Sequence, residues 1–211
     1  MDINFLVIEG NIGAGKTTLS TMISQKYNAK LILEQFSDNP FLPKFYKDPD
    51  KYSFPLEMSF MAERYNQLKK QVADQDLFKN FTVADYYFMK SLIFSKSTLQ
   101  EDEYSLYRKF FDIIYQNIPK PSLYVYLHLS TERLLENISK RGRSYESEIS
   151  ADYLKRITDG YFNFFSQQCD FPVVAIKTDE LDFVKNKEDY RKIERLIFEK
   201  SYPKGLTRVI P

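Results

Sequence analysis

The sequence has little that would restrict it to a specialised class of protein. Cys169 is the only cysteine among 211 residues, so a disulfide within the chain and a cysteine-rich zinc site are both excluded. Lys and Arg total 30 against 29 for Asp and Glu, a formal net charge of only +1. That balance argues against a dedicated binder of nucleic-acid polymer, because such domains carry a strongly basic face.

Long apolar runs are also missing. No stretch approaches the roughly 18 apolar residues of a membrane-spanning helix, and the opening Met-Asp-Ile-Asn-Phe lacks the basic, apolar and small-residue order of a signal peptide. We therefore expect a protein of the reducing cytoplasm, with no membrane partner.

What is present is an alternation of short apolar runs with longer segments of helical period, which is typical of βαβ units with a buried parallel sheet. The pattern predicts one α/β domain over residues 1–211 with a five-stranded parallel sheet, its strands near 5–8, 31–33, 81–84, 123–129 and 173–176. Helices are predicted at about 16–27, 54–72, 104–118, 131–141, 151–169 and 188–200.

The helix at 54–72 carries one apolar stripe at steps of three and four residues. Its members are Phe54, Met58, Met61, Tyr65, Leu68 and Val72. This spacing predicts packing against the core or a neighbouring helix, and a subunit interface is the alternative.

A phosphate-binding motif follows the first predicted strand and opens the first predicted helix. The segment matches G-x-x-x-x-G-K-(S/T), the P-loop, in both pattern and context. Its glycines let backbone N–H groups face phosphates, Lys16 adds positive charge near the β and γ phosphates, and the Thr17 hydroxyl can bind Mg²⁺. The candidate nucleotide-binding residues are Gly10, Asn11, Ile12, Gly13, Ala14, Gly15, Lys16, Thr17 and Thr18.

A second motif resembles the guanine-reading N-K-x-D of GTPase switches, at Asn186-Lys-Glu-Asp189. Those proteins also carry D-x-x-G, and no Asp in this chain has Gly three residues later. We interpret the match as a charged helix start.

Two carboxylates follow predicted strands. Glu34 comes just after 31–33 and Asp85 directly after 81–84, and ligands of open parallel sheets bind beyond these carboxyl ends. One carboxylate could hold Mg²⁺ and the other could accept a proton from an attacking hydroxyl. Helix capping or a solvated strand end is the alternative for each.

Two arginines close a later helix. Arg141-Gly-Arg143 precedes a polar loop, and the pair suits charge stabilisation during phosphoryl transfer. Ordinary capping of a helix C-terminus by basic residues is the alternative.

The order of these pieces resembles the deoxynucleoside kinase family, which includes deoxycytidine, deoxyguanosine and deoxyadenosine kinases. The resemblance spans most of the chain. Besides the P-loop and Glu34, it rests on Asn39-Pro-Phe-Leu with Phe45-Tyr46, which looks like the bacterial branch, on Lys47-Asp-Pro-Asp with Glu57, and on Arg141-Gly-Arg-Ser-Tyr-Glu146. It implies a three-layer P-loop kinase fold with a short lid at about 141–150.

The resemblance also implies roles for individual residues. Glu34 would be the general base for a nucleoside 5′-hydroxyl, Tyr46 and Glu146 would hold the sugar 3′-hydroxyl, and Phe94 would stack on the base. Lys16, Arg141 and Arg143 would serve the phosphates of ATP, and Mg²⁺ would accompany them at Thr17 and Asp85. Asp179 and Asp182 would lie by the donor adenine. A homodimer through the helices at about 54–72 and 104–118 fits both the family and the apolar pattern.

Three positions depart from the family. Tyr86 follows Asp85 where members have an arginine near the reacting 5′ oxygen, so another residue must supply that contribution or it is absent. Asn137 stands where many members have the first lid arginine. Glu57 stands where members usually have the glutamine that reads the base.

Glu57 bears on base preference. Glu57, Met61 and Arg64 are spaced i, i+4 and i+7, so they share one helix face. An ionised glutamate only accepts hydrogen bonds, which suits the N1–H and exocyclic amine of guanine and leaves adenine or cytosine with an acceptor facing an acceptor. We therefore hypothesise a purine bias with deoxyguanosine favoured.

The leading hypothesis is thus an ATP-dependent kinase that phosphorylates the 5′-hydroxyl of a deoxynucleoside for DNA precursor salvage. One alternative is a nucleoside monophosphate kinase of the thymidylate kinase kind, which would need a basic site for its acceptor's phosphate. Another is a protein that binds ATP without turnover, which Tyr86 and Asn137 keep open.

Overall fold

A computed structural model describes residues 3–35, 39–73, 76–143, 146, 149–167 and 170–211. One sheet contains six strands, all parallel, in the order β2-β3-β1-β4-β5-β6. The strands are β1 (Phe5–Gly10), β2 (Lys30–Ile32), β3 (Thr82–Ala84), β4 (Leu123–His128), β5 (Pro172–Lys177) and β6 (Gly205–Val209).

The prediction of five strands was wrong by one, because it omitted β6. This strand pairs with β5 at the edge of the sheet, where Val173 lies opposite Leu206. Its residues are half-buried or exposed, and Thr207 and Arg208 interrupt the apolar run that identifies buried strands.

Eight helices complete the described part of the chain. Their bounds are α1 (Lys16–Tyr27), α2 (Leu42–Lys47), α3 (Pro49–Ala73), α4 (Met89–Thr98), α5 (Glu101–Tyr115), α6 (Thr131–Arg141), α7 (Ala151–Gln167) and α8 (Lys187–Phe198). Asn186 caps α8 by accepting a hydrogen bond from the Glu188 N–H at 2.9 Å, which confirms that the N-K-x-D match is a helix start. No helix within these described ranges is both long and apolar enough to span a bilayer.

Alternating side chains of the strands divide the core into two layers of packing. Phe5, Val7 and Tyr124 face a cluster with residues of α3, α4, α5 and α7. Leu6 and Ile8 face a second cluster with residues of α1, α6 and α8. Helices therefore cover both faces of the sheet, which confirms the three-layer α/β fold.

The stripe on α3 belongs to the first of these clusters. Met61 and Leu68 are fully buried, and Phe54, Met58, Tyr65 and Val72 pack half-buried against it. The stripe is therefore core packing, the first of the two interpretations of its spacing.

Two helices escaped prediction. Every residue of α4 from Met89 to Ser95 is buried, so the segment has no polar face and therefore no helical period to detect. The other, α2, has only six residues. In addition, α3 begins at Pro49 and not at Phe54, with Pro55 inside its early turns.

The P-loop bends between β1 and α1 through glycines in the left-handed region. Gly13 has φ +83°, and a Cβ there would lie 2.8 Å from the backbone oxygen of Leu134 and 3.0 Å from Ile138 Cγ1. The loop therefore needs glycine at this position both for its backbone angle and for its contact with α6.

Replacement of Gly13 by Ala should accordingly lower the free energy of unfolding by about 3 kcal/mol, the sum of left-handed strain and overpacking. Gly142→Ala is the matched control, since Gly142 also has a positive φ of +68° but no atom of the described residues lies within 4 Å of an added Cβ. The control should cost only about 1 kcal/mol. Urea unfolding of both variants measures the difference, and equal losses would contradict the steric account.

Candidate active site

The strand order brings the P-loop and both predicted carboxylates to one edge of the sheet. β1 lies beside β3, and β3 beside β2. Asp85 follows β3 directly and Glu34 lies two residues beyond β2. The Asp85 carboxylate accepts a hydrogen bond from the Thr17 hydroxyl at 2.5 Å and another from the Glu34 backbone N–H at 2.7 Å. Asp85 therefore ties the first turn of α1 to the segment that carries Glu34.

Glu34 is held by two cations. Arg64 on α3 donates from Nε and Nη2 to Glu34 Oε1 at 3.0 and 2.8 Å, and Lys90 Nζ bonds to Oε2. Burial alone would raise the pKa of Glu34, but the charges of Lys90 and Arg64 outweigh it and hold this pKa at about 2. Glu34 is therefore ionised throughout the neutral range.

Lys16 lies close by in the P-loop. Its Nζ donates to the backbone oxygen of Asn11 at 2.9 Å. Burial lowers the pKa of Lys16 to about 8, and the like charge of Lys90 acts in the same direction. The site thus gathers positive charge where phosphate oxygens would bind.

Glu9 supports the P-loop from beneath. It is fully buried at the end of β1 and accepts hydrogen bonds from the backbone N–H groups of Tyr87 and Gly10 and from the Tyr161 hydroxyl. Burial raises the pKa of this carboxyl. Glu9 therefore joins β1, the segment after β3 and α7 under the phosphate-binding loop.

A cavity extends from Glu34 between α3 and α4. Glu57, Arg64 and Phe94 line it, together with Thr98. Glu57 is 3% exposed, and its Oε1 accepts a hydrogen bond from the Thr98 hydroxyl at 3.0 Å. Its buried Oε2 has no hydrogen-bond partner within the described residues.

The charge of Glu57 is therefore finely balanced. Burial raises the pKa of Glu57 to about 7, and the Arg64 charge and the Thr98 hydrogen bond oppose this rise. Glu57 is thus partly protonated at neutral pH in this cavity. This finding modifies the assumption that the carboxylate is always ionised.

Met61, a predicted residue of this cavity, does not line it as expected. Met61 is only 1% exposed and packs in the apolar core on the sheet side of α3. It is not among the described residues that line the cavity. Tyr46 lies in α2, and its side chain falls outside the described part of the structure.

The lid arginines are engaged with a carboxylate. Arg141 donates to Glu146 Oε2 from Nε at 3.0 Å and from Nη2 at 2.5 Å, and Arg143 Nη1 donates to Oε1 at 3.3 Å. All three residues line the same cavity as Glu34. The remainder of the predicted lid at 144, 145, 147 and 148 lies outside the described residues.

A second cavity lies on the other side of the P-loop. Its lining includes Gly13 to Thr18, Asn137, Asp182 and Phe183, and it shares four residues with the first cavity: Lys16, Thr17, Arg141 and Arg143. The two cavities therefore meet at the P-loop lysine and the lid arginines. Ligands bound in the two cavities would therefore approach each other at these shared residues.

Asp179 and Asn137 both bond to the backbone of neighbouring segments. Asp179 Oδ1 accepts a hydrogen bond from the Ser130 N–H at 2.7 Å and so joins the ends of β4 and β5, and it lines neither of these two cavities. Asn137 donates from Nδ2 to the backbone oxygen of Gly13 at 2.9 Å. It therefore fixes the P-loop to α6.

The family assignment comes from comparison with known proteins. A family model described as deoxynucleoside kinase matches residues 6–201. The chain belongs to the deoxynucleoside kinase family. It is therefore a phosphotransferase, and the resemblance in the sequence is confirmed.

Individual members of the family resemble it over nearly their whole length. The chain is 40% identical to a deoxyguanosine kinase of Bacillus subtilis over 194 residues, 90% of this chain and 93% of that one. It is 27% identical to a deoxyadenosine/deoxycytidine kinase of the same organism, over 90% of this chain and 89% of the relative. A solved structure of deoxyadenosine kinase from M. mycoides with bound dATP superimposes with a TM-score of 0.78 at 28% identity, covering 92% of this chain and 98% of that one.

Sequence reasoning missed Lys90 as a site residue. It lies in the first turn of α4, which was not predicted, and it is 8% exposed. A single charge within the otherwise apolar and small-residue stretch 88–95 is the signal that could have identified it, because a lysine is almost never buried without a partner.

Proposed function

We propose that the chain transfers the γ-phosphoryl group of ATP to the 5′-hydroxyl of a purine deoxynucleoside, with deoxyguanosine preferred, for salvage of DNA precursors. The observation that carries this proposal is that two cavities meet at Lys16, Thr17 and the lid arginines. Glu34 lines the first of these cavities, and the second lies on the other side of the P-loop. The family membership and the deoxyguanosine kinase relatives support the substrate class.

In this proposal Glu34 orients the 5′-hydroxyl and accepts its proton as the new bond to phosphorus forms. The transition state of phosphoryl transfer is loose, so positioning and charge stabilisation matter more than base strength. A carboxylate with a pKa of about 2 is therefore adequate to orient the nucleophile. Lys16 stabilises the charge that develops on the phosphate oxygens.

Mg²⁺ fits the oxygen atoms beside the P-loop. The Thr17 hydroxyl and the Asp85 carboxylate lie 2.5 Å apart and line the cavity. Hard oxygen ligands of this kind suit Mg²⁺, which proteins usually hold through one or two carboxylates together with substrate phosphates. When bound, the ion neutralises charge on the β and γ phosphates.

We interpret residues 1–211 as a single domain. In this proposal its lid, at about 141–150, closes over the phosphates. Glu146 now holds Arg141 and Arg143. We infer that the arginines turn to the phosphates when ATP binds, which leaves Glu146 to join Tyr46 at the sugar 3′-hydroxyl. Phe94 would stack on the base. Asp182 and Phe183 line the P-loop cavity and would flank the donor adenine.

Neither alternative has comparable support. A nucleoside monophosphate kinase needs a cation for its acceptor's own phosphate in addition to those that serve the transferred phosphoryl group. In the described part of the acceptor cavity the buried cations Arg64 and Lys90 both lie at Glu34, the position proposed for the 5′-hydroxyl. An ATP-binding protein without turnover would not need a carboxylate at Glu34. The single cysteine favours the reducing cytoplasm as its compartment.

Glu34→Gln tests the proposed chemistry. The variant keeps the size of the side chain but loses the proton acceptor, so turnover should fall by at least about a hundredfold. ADP release from Mg-ATP is measured with deoxyguanosine, deoxyadenosine, deoxycytidine, thymidine and thymidine monophosphate. The matched control is Glu132→Gln, an exposed position on α6, which should behave as wild type.

Turnover on deoxynucleosides that is lost in Glu34→Gln supports the proposal. Turnover on thymidine monophosphate alone would assign the chain to the monophosphate kinases. ATP binding without any turnover would favour the non-catalytic alternative.

Base preference should depend on pH through Glu57. Because burial raises the pKa of Glu57 to about 7, the ionised fraction grows from about one tenth at pH 6 to about nine tenths at pH 8. The groups that face it electrostatically are Arg64, Lys90 and Glu34, and the Tyr107 hydroxyl donates to its backbone oxygen at 3.4 Å. Only the ionised form accepts from both guanine donors, whereas the protonated form can donate to adenine as glutamine does.

The ratio of kcat/KM for deoxyguanosine to that for deoxyadenosine should therefore rise about tenfold between pH 6 and pH 8, since an unpaired buried polar group costs about 1–3 kcal/mol. In Glu57→Gln the ratio should stay level with pH and shift towards deoxyadenosine. A wild-type ratio that does not change with pH, or a variant with unaltered preference, would refute the role of Glu57.

We also infer a homodimer that forms through α5. Leu106, Phe110 and Ile113 lie at i, i+4 and i+7 on this helix and are 46%, 43% and 64% exposed, so they form an apolar face that lacks cover in the monomer. The buried side of α5 packs against α3, where the Tyr107 hydroxyl reaches the backbone of Glu57. The sequence predicts an interface through the helices at 54–72 and 104–118. Because the apolar stripe of α3 packs in the core, we propose that the exposed face of α5 is the centre of this interface.

Ile113→Glu should weaken this dimer by at least about a hundredfold, because a glutamate would be buried without a partner in the interface. Sedimentation velocity at micromolar concentration measures the change. Ile210→Glu is the matched control, since Ile210 is 80% exposed elsewhere. A monomeric wild type, or an equally dimeric Ile113→Glu, would contradict this interface.

A further inference from the structure

Lys90 occupies an unusual position for a lysine. It lies in the first turn of α4, where every residue from Met89 to Ser95 is buried, and is itself 8% exposed. Its Nζ bonds to Glu34 and lies 5.2 Å from the centre of the Phe94 ring. The same cavity is lined by Lys16, Thr17 and Asp85. The ammonium group is therefore enclosed in the same cavity as the P-loop residues at which the two cavities meet.

The ion pair of Glu34 does not require Lys90. Arg64 already donates twice to Glu34 and is fixed from the other side by a hydrogen bond from Nη1 to Ser91 Oγ at 2.9 Å. One guanidinium neutralises one carboxylate, so Lys90 adds a second positive charge to the same group. Because burial of a further cation is costly, its presence calls for an anion that arrives later.

Of the two cations, Lys90 is the one that can turn. The planar guanidinium of Arg64 is fixed by three hydrogen bonds. Lys90 instead carries a point charge on a flexible four-carbon stem. The one hydrogen-bond acceptor found for its Nζ within the described ranges is Glu34. Rotation of the stem can therefore release the ammonium group from Glu34 into the cavity that Lys16 also lines, while Arg64 stays in place.

Tyr86, which follows Asp85, supplies no positive charge beside Glu34. It stands where an arginine was expected near the reacting 5′ oxygen, but its ring is fully buried and its hydroxyl donates to Gln67 on α3 at 2.7 Å. Tyr86 is therefore a packing residue directed away from the phosphates. Among the described residues, Lys90 is the one cation that bonds to Glu34 Oε2, since Arg64 bonds to Oε1.

We propose that Lys90 is a catalytic residue whose ammonium group contacts the γ-phosphoryl group during transfer and supplies the charge that Tyr86 lacks. In the step, the bond from O5′ to the γ phosphorus forms and the bond from that phosphorus to the β,γ-bridging oxygen breaks. Its electron pair leaves with ADP, and the hydroxyl proton goes to Glu34. Lys90 keeps its own proton throughout. This inference rests on the proposed kinase function.

The test begins with Lys90→Met, which keeps the length of the stem and removes the charge. Turnover with Mg-ATP and deoxyguanosine should fall about a hundredfold or more in kcat, the usual cost of removing one group that stabilises transition-state charge. Both KM values should stay within about threefold, since the contact exists mainly in the transition state. Lys90→Arg should recover most of the lost kcat because it restores the cation.

Lys96→Met is the matched control, because Lys96 lies on the same helix and is exposed. It should keep wild-type kcat. If wild type itself fails to phosphorylate any deoxynucleoside, the proposed function is wrong. If wild type turns over and Lys90→Met keeps kcat within about threefold, only the role of Lys90 is overturned.

A second comparison separates direct action from support of Glu34 and remains usable if Lys90→Met does not fold. The double variant Glu34→Gln with Lys90→Met removes both members of the Glu34–Lys90 pair, and Arg64 loses its carboxylate equally in this variant and in Glu34→Gln alone, so the comparison is matched. Its residual kcat is compared with that of Glu34→Gln alone. A further loss of about tenfold or more is expected if Lys90 contacts the phosphoryl group, and equal rates would show that Lys90 acts only through Glu34.

Discussion

The carboxylate of Glu34 is the constraint on which the arrangement of the site depends. Its backbone is tied to Asp85, and its side chain is tied to Arg64 on α3 and Lys90 on α4. One group therefore joins the ends of two neighbouring strands to two helices that cover the sheet. Its desolvation is costly and is offset by the charges that surround it. The placement of the proposed nucleophile pocket follows from this cluster.

The same low-polarity surroundings act differently on Glu57. Glu34 has two cations in contact and stays ionised, whereas Glu57 shares the influence of Arg64 at longer range and has one hydroxyl donor. Two carboxylates in one cavity thus have pKa values of about 2 and about 7. Environments that separate the pKa values of neighbouring carboxyls often separate their tasks: here, positioning of a hydroxyl and recognition of a base.

Local motifs and a topological rule made much of the site predictable. The P-loop is contiguous in sequence, and Glu34 and Asp85 end strands whose carboxyl ends must share one edge of a parallel sheet. Lys90 escaped prediction because α4 is buried from Met89 to Ser95 and shows no helical period there. Met61 and Asp179 were assigned by spacing and resemblance, which do not reveal which way a side chain points. The edge strand β6 lacks a buried apolar run, so periodicity could not identify it.

The central claim is that Glu34 faces the 5′-hydroxyl of a deoxynucleoside whose base lies against Glu57. A crystal structure with deoxyguanosine and a non-hydrolysable ATP analogue tests it most directly. The account predicts the 5′ oxygen within hydrogen-bond distance of the Glu34 carboxylate, with the guanine N1–H and amine directed at Glu57. A nucleoside bound with its 5′ oxygen away from Glu34, while that carboxylate keeps both cations, would contradict the account.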